Sequence, residues 1–213
     1  MNTRKVTKPL LRGYFHEWMF FISVGACIPL IANSSNSIEL ASTIIYSIGV
    51  CMMFGFSALY HRVDWRSRVL IIMRRLDHSA IFVMIAGSFT PICLLVLPGN
   101  TGIQLLFIIW IIAGIGILQT VLFTETPRLI RAGIYLVAGY MAIPYLSVMF
   151  SVMSMTNFIL TAASGTIYTV GAIGYGFQFP DISPKYFGYH EFFHILVSIA
   201  AVLHFIVIYS IVG

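Results

Sequence analysis

The chain has 213 residues, of which 59% are hydrophobic and only 9% are charged, and its mean hydropathy is +0.95. A soluble domain carries roughly 25% charged residues, so this composition excludes a water-soluble globule and indicates a bilayer as the surroundings. The net charge of +5 does not indicate a nucleic-acid partner, because basic residues in membrane proteins commonly record topology.

Seven apolar segments follow one another along the chain, and each is long enough for a membrane-spanning helix of about 20 residues. They are predicted at residues 14–32, 40–60, 78–97, 102–123, 132–150, 157–177 and 189–212. Turn-forming residues separate most of them, for example at 33–36 and 98–100. The sequence therefore predicts an all-α fold, a polytopic bundle of seven transmembrane helices that forms a single domain over residues 1–213.

Lysine and arginine residues occur only at alternate ends of the predicted spans. They are Arg4, Lys5, Lys8 and Arg12 before span one; Arg62, Arg66, Arg68, Arg74 and Arg75 after span two; Arg128 and Arg131 after span four; and Lys185 after span six. Basic residues accumulate on the cytoplasmic side of membrane proteins. We therefore expect a multi-pass protein of the cell membrane with its N-terminus in the cytoplasm and its C-terminus outside.

The segment 64–76, between spans two and three, mixes arginines with apolar side chains. Such a mixture favours an interfacial helix that lies along the inner headgroups. A plain loop whose arginines only record topology is the alternative interpretation.

Ionisable side chains collect at the predicted cytoplasmic ends of four spans. The set comprises His16 and Glu17 in span one, His61 in span two, Asp77 and His78 at span three, and His190 and His194 in span seven. Ser57 lies one helical turn before His61, whereas His204 lies deeper in span seven, where a packing or hydrogen-bonding role is expected. An ionisable group costs about 2.5–3.5 kcal/mol at the centre of a membrane helix, so this gathering at one depth indicates a function.

The histidines fit a metal site. His190 and His194 are four residues apart and project from one helix face, so one metal ion can bind both. His61 would be a third ligand, and a fourth position would stay open for water. Three protein ligands are typical of catalytic zinc sites, whereas structural zinc sites usually have four.

Each residue also has a plainer explanation. His61 could complement the C-terminal end of its helix, and Asp77 could be the N-cap of the third helix. His190 and His194 could be hydrogen-bonded histidines between helices. Ser57 could be a packing serine, although it could also orient the bound water.

Residues 190–194 also match the HExxH pattern, in which a glutamate activates the zinc-bound water of a metalloprotease. A five-residue pattern is weak support for an intramembrane protease. Glu191 lies about 100° round the helix from His190, and we expect it to face the inner interface.

The chain resembles the hemolysin III family, the bacterial branch of the progestin and adipoQ receptor superfamily. The motifs that carry the resemblance are Ser57-Ala-Leu-Tyr-His61, Arg75-Leu-Asp77-His78-Ser79-Ala-Ile-Phe82, Ala86-Gly-Ser-Phe-Thr-Pro91 and His190-Glu-Phe-Phe-His194, with His204 ten residues further on. Span one departs from the family pattern E-x-x-N-x-x-x-H, since this chain has Arg12-Gly-Tyr-Phe-His16-Glu17 there. No role is therefore assigned to His16 or Glu17.

The resemblance implies Zn²⁺ bound by His61, His190 and His194, with Asp77 near the metal-bound water. It also implies kinship with alkaline ceramidases, which hydrolyse lipid amides, and a link to membrane lipid homeostasis. In that reaction Asp77 would transfer the proton and Ser57 would orient the water or stabilise the oxyanion. The substrate would be a membrane lipid that reaches the site sideways between helices.

Two further readings of the resemblance remain. One is a non-enzymatic receptor or membrane-homeostasis protein with structural zinc. The other is a pore-forming hemolysin, which is less favoured because a secreted toxin must be soluble before it inserts.

Overall fold

The computed structural model describes residues 9–183 and 185–213, and these are largely helical. Its α-helices are α1 (Tyr14–Ala32), α2 (Ser37–Arg62), α3 (Ser67–Pro91), α4 (Gly99–Leu122), α5 (Arg128–Tyr140), α6 (Leu146–Val152), α7 (Met155–Phe177) and α8 (Tyr189–Ser210). A π-helical turn, Ile92–Val96, continues α3, and a 3-10 turn, Ile143–Tyr145, joins α5 to α6. Across the described ranges, strand-like pairing is confined to a bridge between Ser183 and Phe187.

Seven helical stretches in the described residues are long and apolar enough to cross a membrane. This finding confirms the predicted all-α fold with seven spans, in which α5 and α6 together make the fifth. The protein is therefore a multi-pass membrane protein. The predicted orientation of the termini and the single-domain organisation stay predictions, and Arg4, Lys5 and Lys8 lie outside the described residues.

The third span is longer than predicted. It runs over Ser67–Val96, 30 residues, which corresponds to about 45 Å at 1.5 Å per residue against a hydrocarbon layer of about 30 Å. The prediction of a separate interfacial helix or loop at 64–76 is wrong from residue 67 onward. Because neither proline nor glycine occurs between residues 67 and 86, nothing interrupts the helix before it enters the bundle.

Two helix pairs make the most extensive contacts in the bundle, α2 with α3 and α7 with α8. Helix α1 packs against α2 and α8, while α5 packs against α7. Large apolar side chains such as Phe21, Phe107 and Ile115 remain exposed on the outside, as expected for surfaces that face lipid. Helices α2 and α8 approach each other at His61 and His190, where the predicted site residues lie.

Candidate metal centre

Three histidines from two helices meet inside the bundle. His61 lies in the last turn of α2, and His190 and His194 lie one turn apart at the start of α8. One ring nitrogen of each lies within 4.8 Å of the other two. The Nε2 atoms of His61 and His190 are 3.1 Å apart. Packing thus brings the three predicted ligands together.

The spacing of these nitrogens fits a tetrahedral metal ion. Two nitrogens bound to zinc at about 2.0–2.1 Å would lie roughly 3.3 Å apart, close to the 3.1 Å between His61 and His190. The Nδ1 atom of His194 is buried and has no hydrogen-bond partner among the described residues. The cluster can therefore hold a metal ion, and three protein ligands leave a position for another ligand.

Asp77 lies beside the histidine cluster. Its Oδ2 atom is 3.9 Å from Nε2 of His61 and 3.9 Å from Nε2 of His78, too far for a direct hydrogen bond. The N-cap of α3 is Arg66, so the plainer explanation of Asp77 as an N-cap is wrong. Asp77 is instead a buried carboxylate inside a membrane-spanning helix, a costly position that requires a specific reason.

Helix α1 contributes a residue to which the sequence assigned no role. The ring of His16 stacks on the ring of His194, with centroids 3.7 Å apart and planes inclined by 6°. Nδ1 of His16 is 2.8 Å from Oγ of Ser57. His16 therefore restrains both a candidate metal ligand and the predicted catalytic serine. The sequence does contain one indication of this role, since His16 lies at the same predicted depth as the other histidines. The departure of span one from the family pattern is why no role was assigned to it.

A glycine permits the close approach of α1 to this site. Gly13 has φ +85°, and a Cβ atom there would lie 2.8 Å from Cβ of His61. Glycine is the residue that accepts both the positive φ and the contact. Glu17, one turn further on, binds Nε of Arg62 at 2.8 Å, so it ties α1 to the end of α2.

The sequence marks Arg131 of α5 only as a basic residue that indicates topology. In the structure, its side chain extends to the candidate metal centre. Its Nη1 atom is 3.2 Å from Nε2 of His78, and Nη2 donates to the carbonyl oxygen of Thr126 at 2.8 Å. His78 in turn lies beside Asp77. The arrangement places a permanent positive charge near the buried carboxylate of Asp77.

Glu191 is bound on the other side of α8. Its Oε1 atom pairs with Arg12, and Oε2 accepts a hydrogen bond from the backbone N–H of Gly188 at 2.8 Å. Glu191 is fully buried, so the expectation that it faces the inner interface is wrong. Glu191 is also not among the residues that line the cavity next to the three histidines. This geometry does not support Glu191 as the general base of an HExxH protease.

A cavity extends from the histidine cluster between α3, α5, α7 and α8. Its empty volume is about 1220 Å³ with the open mouth included. The polar end is lined by His16, Ser57, His61, Asp77, His78, His190 and His194. Apolar side chains such as Met84, Ile85 and Val197 follow, and the lining continues to His204. The predicted site residues therefore lie at one end of a mostly apolar chamber.

Comparisons with known proteins agree with this architecture. The family model described as "Haemolysin-III related" matches residues 4–205. Hemolysin-3 homolog of Bacillus subtilis is 30% identical over 173 residues, 80% of this chain and 81% of that protein. Hemolysin-3 of Bacillus cereus is 31% identical over 176 residues, covering 80% and 79%.

A vertebrate relative extends the match. Monocyte to macrophage differentiation factor of Homo sapiens is 26% identical over 204 residues, which cover 92% of this chain and 81% of that protein. The family model spans nearly the whole chain, including each of the three candidate ligands. The chain therefore belongs to the hemolysin III family, within the progestin and adipoQ receptor superfamily.

Proposed function

We propose that the protein is a zinc-dependent hydrolase of lipid amides in the cell membrane. The observation that carries the proposal is the position of Asp77, a buried carboxylate 3.9 Å from the candidate ligand His61. Both residues line the polar end of a mostly apolar cavity. The kinship with alkaline ceramidases that the family resemblance implies supplies the substrate class.

His61, His190 and His194 would hold the metal. Bound there, zinc would supply Lewis-acid activation of water and of an amide carbonyl. A set of three protein ligands favours a catalytic over a structural site, because structural sites usually have four. Under the predicted orientation, this centre lies near the cytoplasmic face of the membrane.

The residues around the ligands have the chemistry that amide hydrolysis needs. Asp77 would accept a proton from the attacking water and return it to the amine as the carbon–nitrogen bond breaks. The products are a fatty acid and an amine. Ser57, whose hydroxyl is restrained by His16, would orient the water or donate to the developing oxyanion.

The shape of the cavity suits a lipid chain. Two glycines, Gly139 of α5 and Gly165 of α7, line it. Apart from chain neighbours and the adjacent backbone of the same helix, no atom of the described residues lies within 4 Å of the place that a Cβ would take at either one. The open space beside them lies between two membrane-spanning helices. A lipid could thus reach the centre from the bilayer without crossing water, and apolar walls would bind its hydrocarbon chain.

The test combines zinc content with turnover. Wild type and Asp77→Asn are purified into nanodiscs, zinc per chain is measured, and fatty-acid release is followed on ceramides and other N-acyl lipids. We expect about one zinc per chain in both proteins. Turnover should fall by about 10²–10⁴-fold in Asp77→Asn, the usual contribution of a general acid–base group.

A matched control separates this effect from a general loss of carboxylate charge. Glu125 is highly exposed and pairs with Arg74 at 3.1 Å, so Glu125→Gln should turn over at the wild-type rate. If zinc is bound but no substrate is turned over, the hydrolase proposal is wrong and a non-enzymatic protein with structural zinc is favoured. A wild-type protein that binds no zinc would contradict the metal centre itself.

A further inference from the structure

The cavity contains a second group of polar side chains, which the proposed reaction does not use. Ser164 and Tyr168, one turn apart on α7, and His204 of α8 all line the cavity, and we name these three residues the distal polar group. Nδ1 of His204 is 3.3 Å from Oγ of Ser164, and its ring also lies near the backbone of Ser88. His204 is only 5% exposed. Ser164 and His204 thus lie inside the bundle.

Two buried atoms of this group make no hydrogen bond to the described residues, namely Oη of Tyr168 and Nε2 of His204. A buried polar group without a partner destabilises the protein. Inside a bilayer, the surroundings cannot supply the missing bond. Since both residues line the cavity, an atom bound in the cavity would supply it.

The distal polar group lies far from the metal centre along the same cavity. Ten residues of α8 separate His194 from His204, about 15 Å along the helix axis at 1.5 Å per residue. Apolar side chains, including Met84, Ile85 and Val197, line the space between them. A lipid whose head group lies at the metal centre would extend its hydrocarbon chain toward the distal polar group.

We propose that Tyr168 and His204 bind a hydroxyl group carried within the hydrocarbon chain of the lipid, and that Ser164 orients His204. This inference rests on the proposed function only in placing the lipid head at the metal centre. Oγ of Ser164 donates to the carbonyl oxygen of Thr161, so it accepts from Nδ1 of His204. Nε2 of the neutral imidazole is then an acceptor for the chain hydroxyl, and the tyrosine hydroxyl can donate or accept. We do not expect the lipid chain to carry a charged group here. Among the described lining residues, the one Asp, Glu, Lys or Arg is Asp77, and it lies at the opposite end of the cavity.

The test compares two fatty acids that differ by one hydroxyl group. Stearic acid and a hydroxystearic acid with its hydroxyl on carbon twelve are used to displace a fluorescent fatty acid from protein in nanodiscs. We expect wild type to bind the hydroxylated acid about two- to tenfold more tightly, which is the range of one net hydrogen bond. In Tyr168→Phe this preference should disappear, while the affinity for stearic acid stays unchanged.

Two further variants make the outcome specific. His204→Leu should also lose the preference, whereas Tyr209→Phe, on a side chain that is 44% exposed, should keep it. Equal affinities for the two acids in wild type would overturn the inference, as would a preference that persists in Tyr168→Phe and His204→Leu.

The binding measurement is independent of turnover. A retained hydroxyl preference without hydrolysis would contradict the proposed function and leave the distal polar group in place. Hydrolysis without the preference would contradict only the distal polar group. If neither acid bound, both the lipid cavity and the distal polar group would be wrong.

Discussion

Neighbouring residues at the start of α8 belong to two different regions of the molecule. His190 and His194 line the cavity, where their nitrogens approach that of His61. Glu191 lies on another face of the same helix, and both of its carboxylate oxygens are bound, by Arg12 and by the backbone of Gly188. All three side chains are costly in an apolar helix.

The comparison separates structural from functional polar residues by the partners they have. The carboxylate of Glu191 is bound by Arg12 and by the backbone of Gly188, so it holds the first turn of α8 against the segment that precedes α1. Nδ1 of His194 has no hydrogen-bond partner in the described residues, although it is buried. A buried nitrogen that the described residues leave without a hydrogen bond, beside two further imidazoles, indicates a ligand.

The largest expected effect concerns the cavity face. His190→Ala together with His194→Ala should remove bound zinc, because one remaining imidazole cannot hold the ion tightly. Elemental analysis of protein purified in nanodiscs measures the metal content. His204→Ala, a third histidine of α8 placed deeper in the cavity, should retain zinc. If the double variant retained all of its zinc, His190 and His194 would not be metal ligands, and the cavity face would not differ in function from the face that carries Glu191.

The next largest effect concerns the opposite face. Glu191→Gln should lower the free energy of unfolding by about 3 kcal/mol, because it leaves Arg12 without its buried partner. Zinc content should stay at the wild-type level. Denaturant unfolding in detergent measures the difference, and exposed Glu125→Gln should change stability by less than about 0.5 kcal/mol. A stable Glu191→Gln protein that lost a proteolytic activity would return the HExxH interpretation.

The smallest of the three effects sharpens the role of the cavity face. Ser57→Ala should lower turnover by about 10²-fold, the cost of losing one positioned donor, or about 2.7 kcal/mol. Zinc content should change little, whereas the free energy of unfolding should fall by about 1–3 kcal/mol, because Nδ1 of buried His16 loses its partner. The matched control is Ser47→Ala on the same helix, a buried serine outside the cavity lining. Equal turnover in the two variants would leave Ser57 as a packing serine.

Much of the architecture could be predicted from local sequence. The length of an apolar segment fixes whether it can cross a bilayer, and six of the seven helical spans begin and end within a few residues of prediction. Span three was the exception, since hydropathy does not mark where an amphipathic arginine-rich turn joins a spanning helix. The spacing of His190 and His194 is likewise a local property of one helix.

The partners of the polar residues could not be predicted in the same way. Arg12 and Glu191 are separated by 179 positions, and His16 and Ser57 by 41. Nothing in local composition states which helix faces meet. Arg131 shows the same limit, because the signal that marks topology also conceals its contact with His78.

By itself, the sequence determined that this protein has seven apolar helices, and it identified three histidines and one carboxylate as candidates for a metal site. The helices follow from hydrophobic length, and the pairing of His190 with His194 follows from helical periodicity. The family resemblance is what added Asp77 and narrowed the ligands to three histidines. Only the tertiary structure decided that His16 stacks on His194, that Glu191 belongs to the packing rather than the cavity, and that the cavity continues to His204. The physical reason is that such contacts depend on how whole helices rotate and pack against one another.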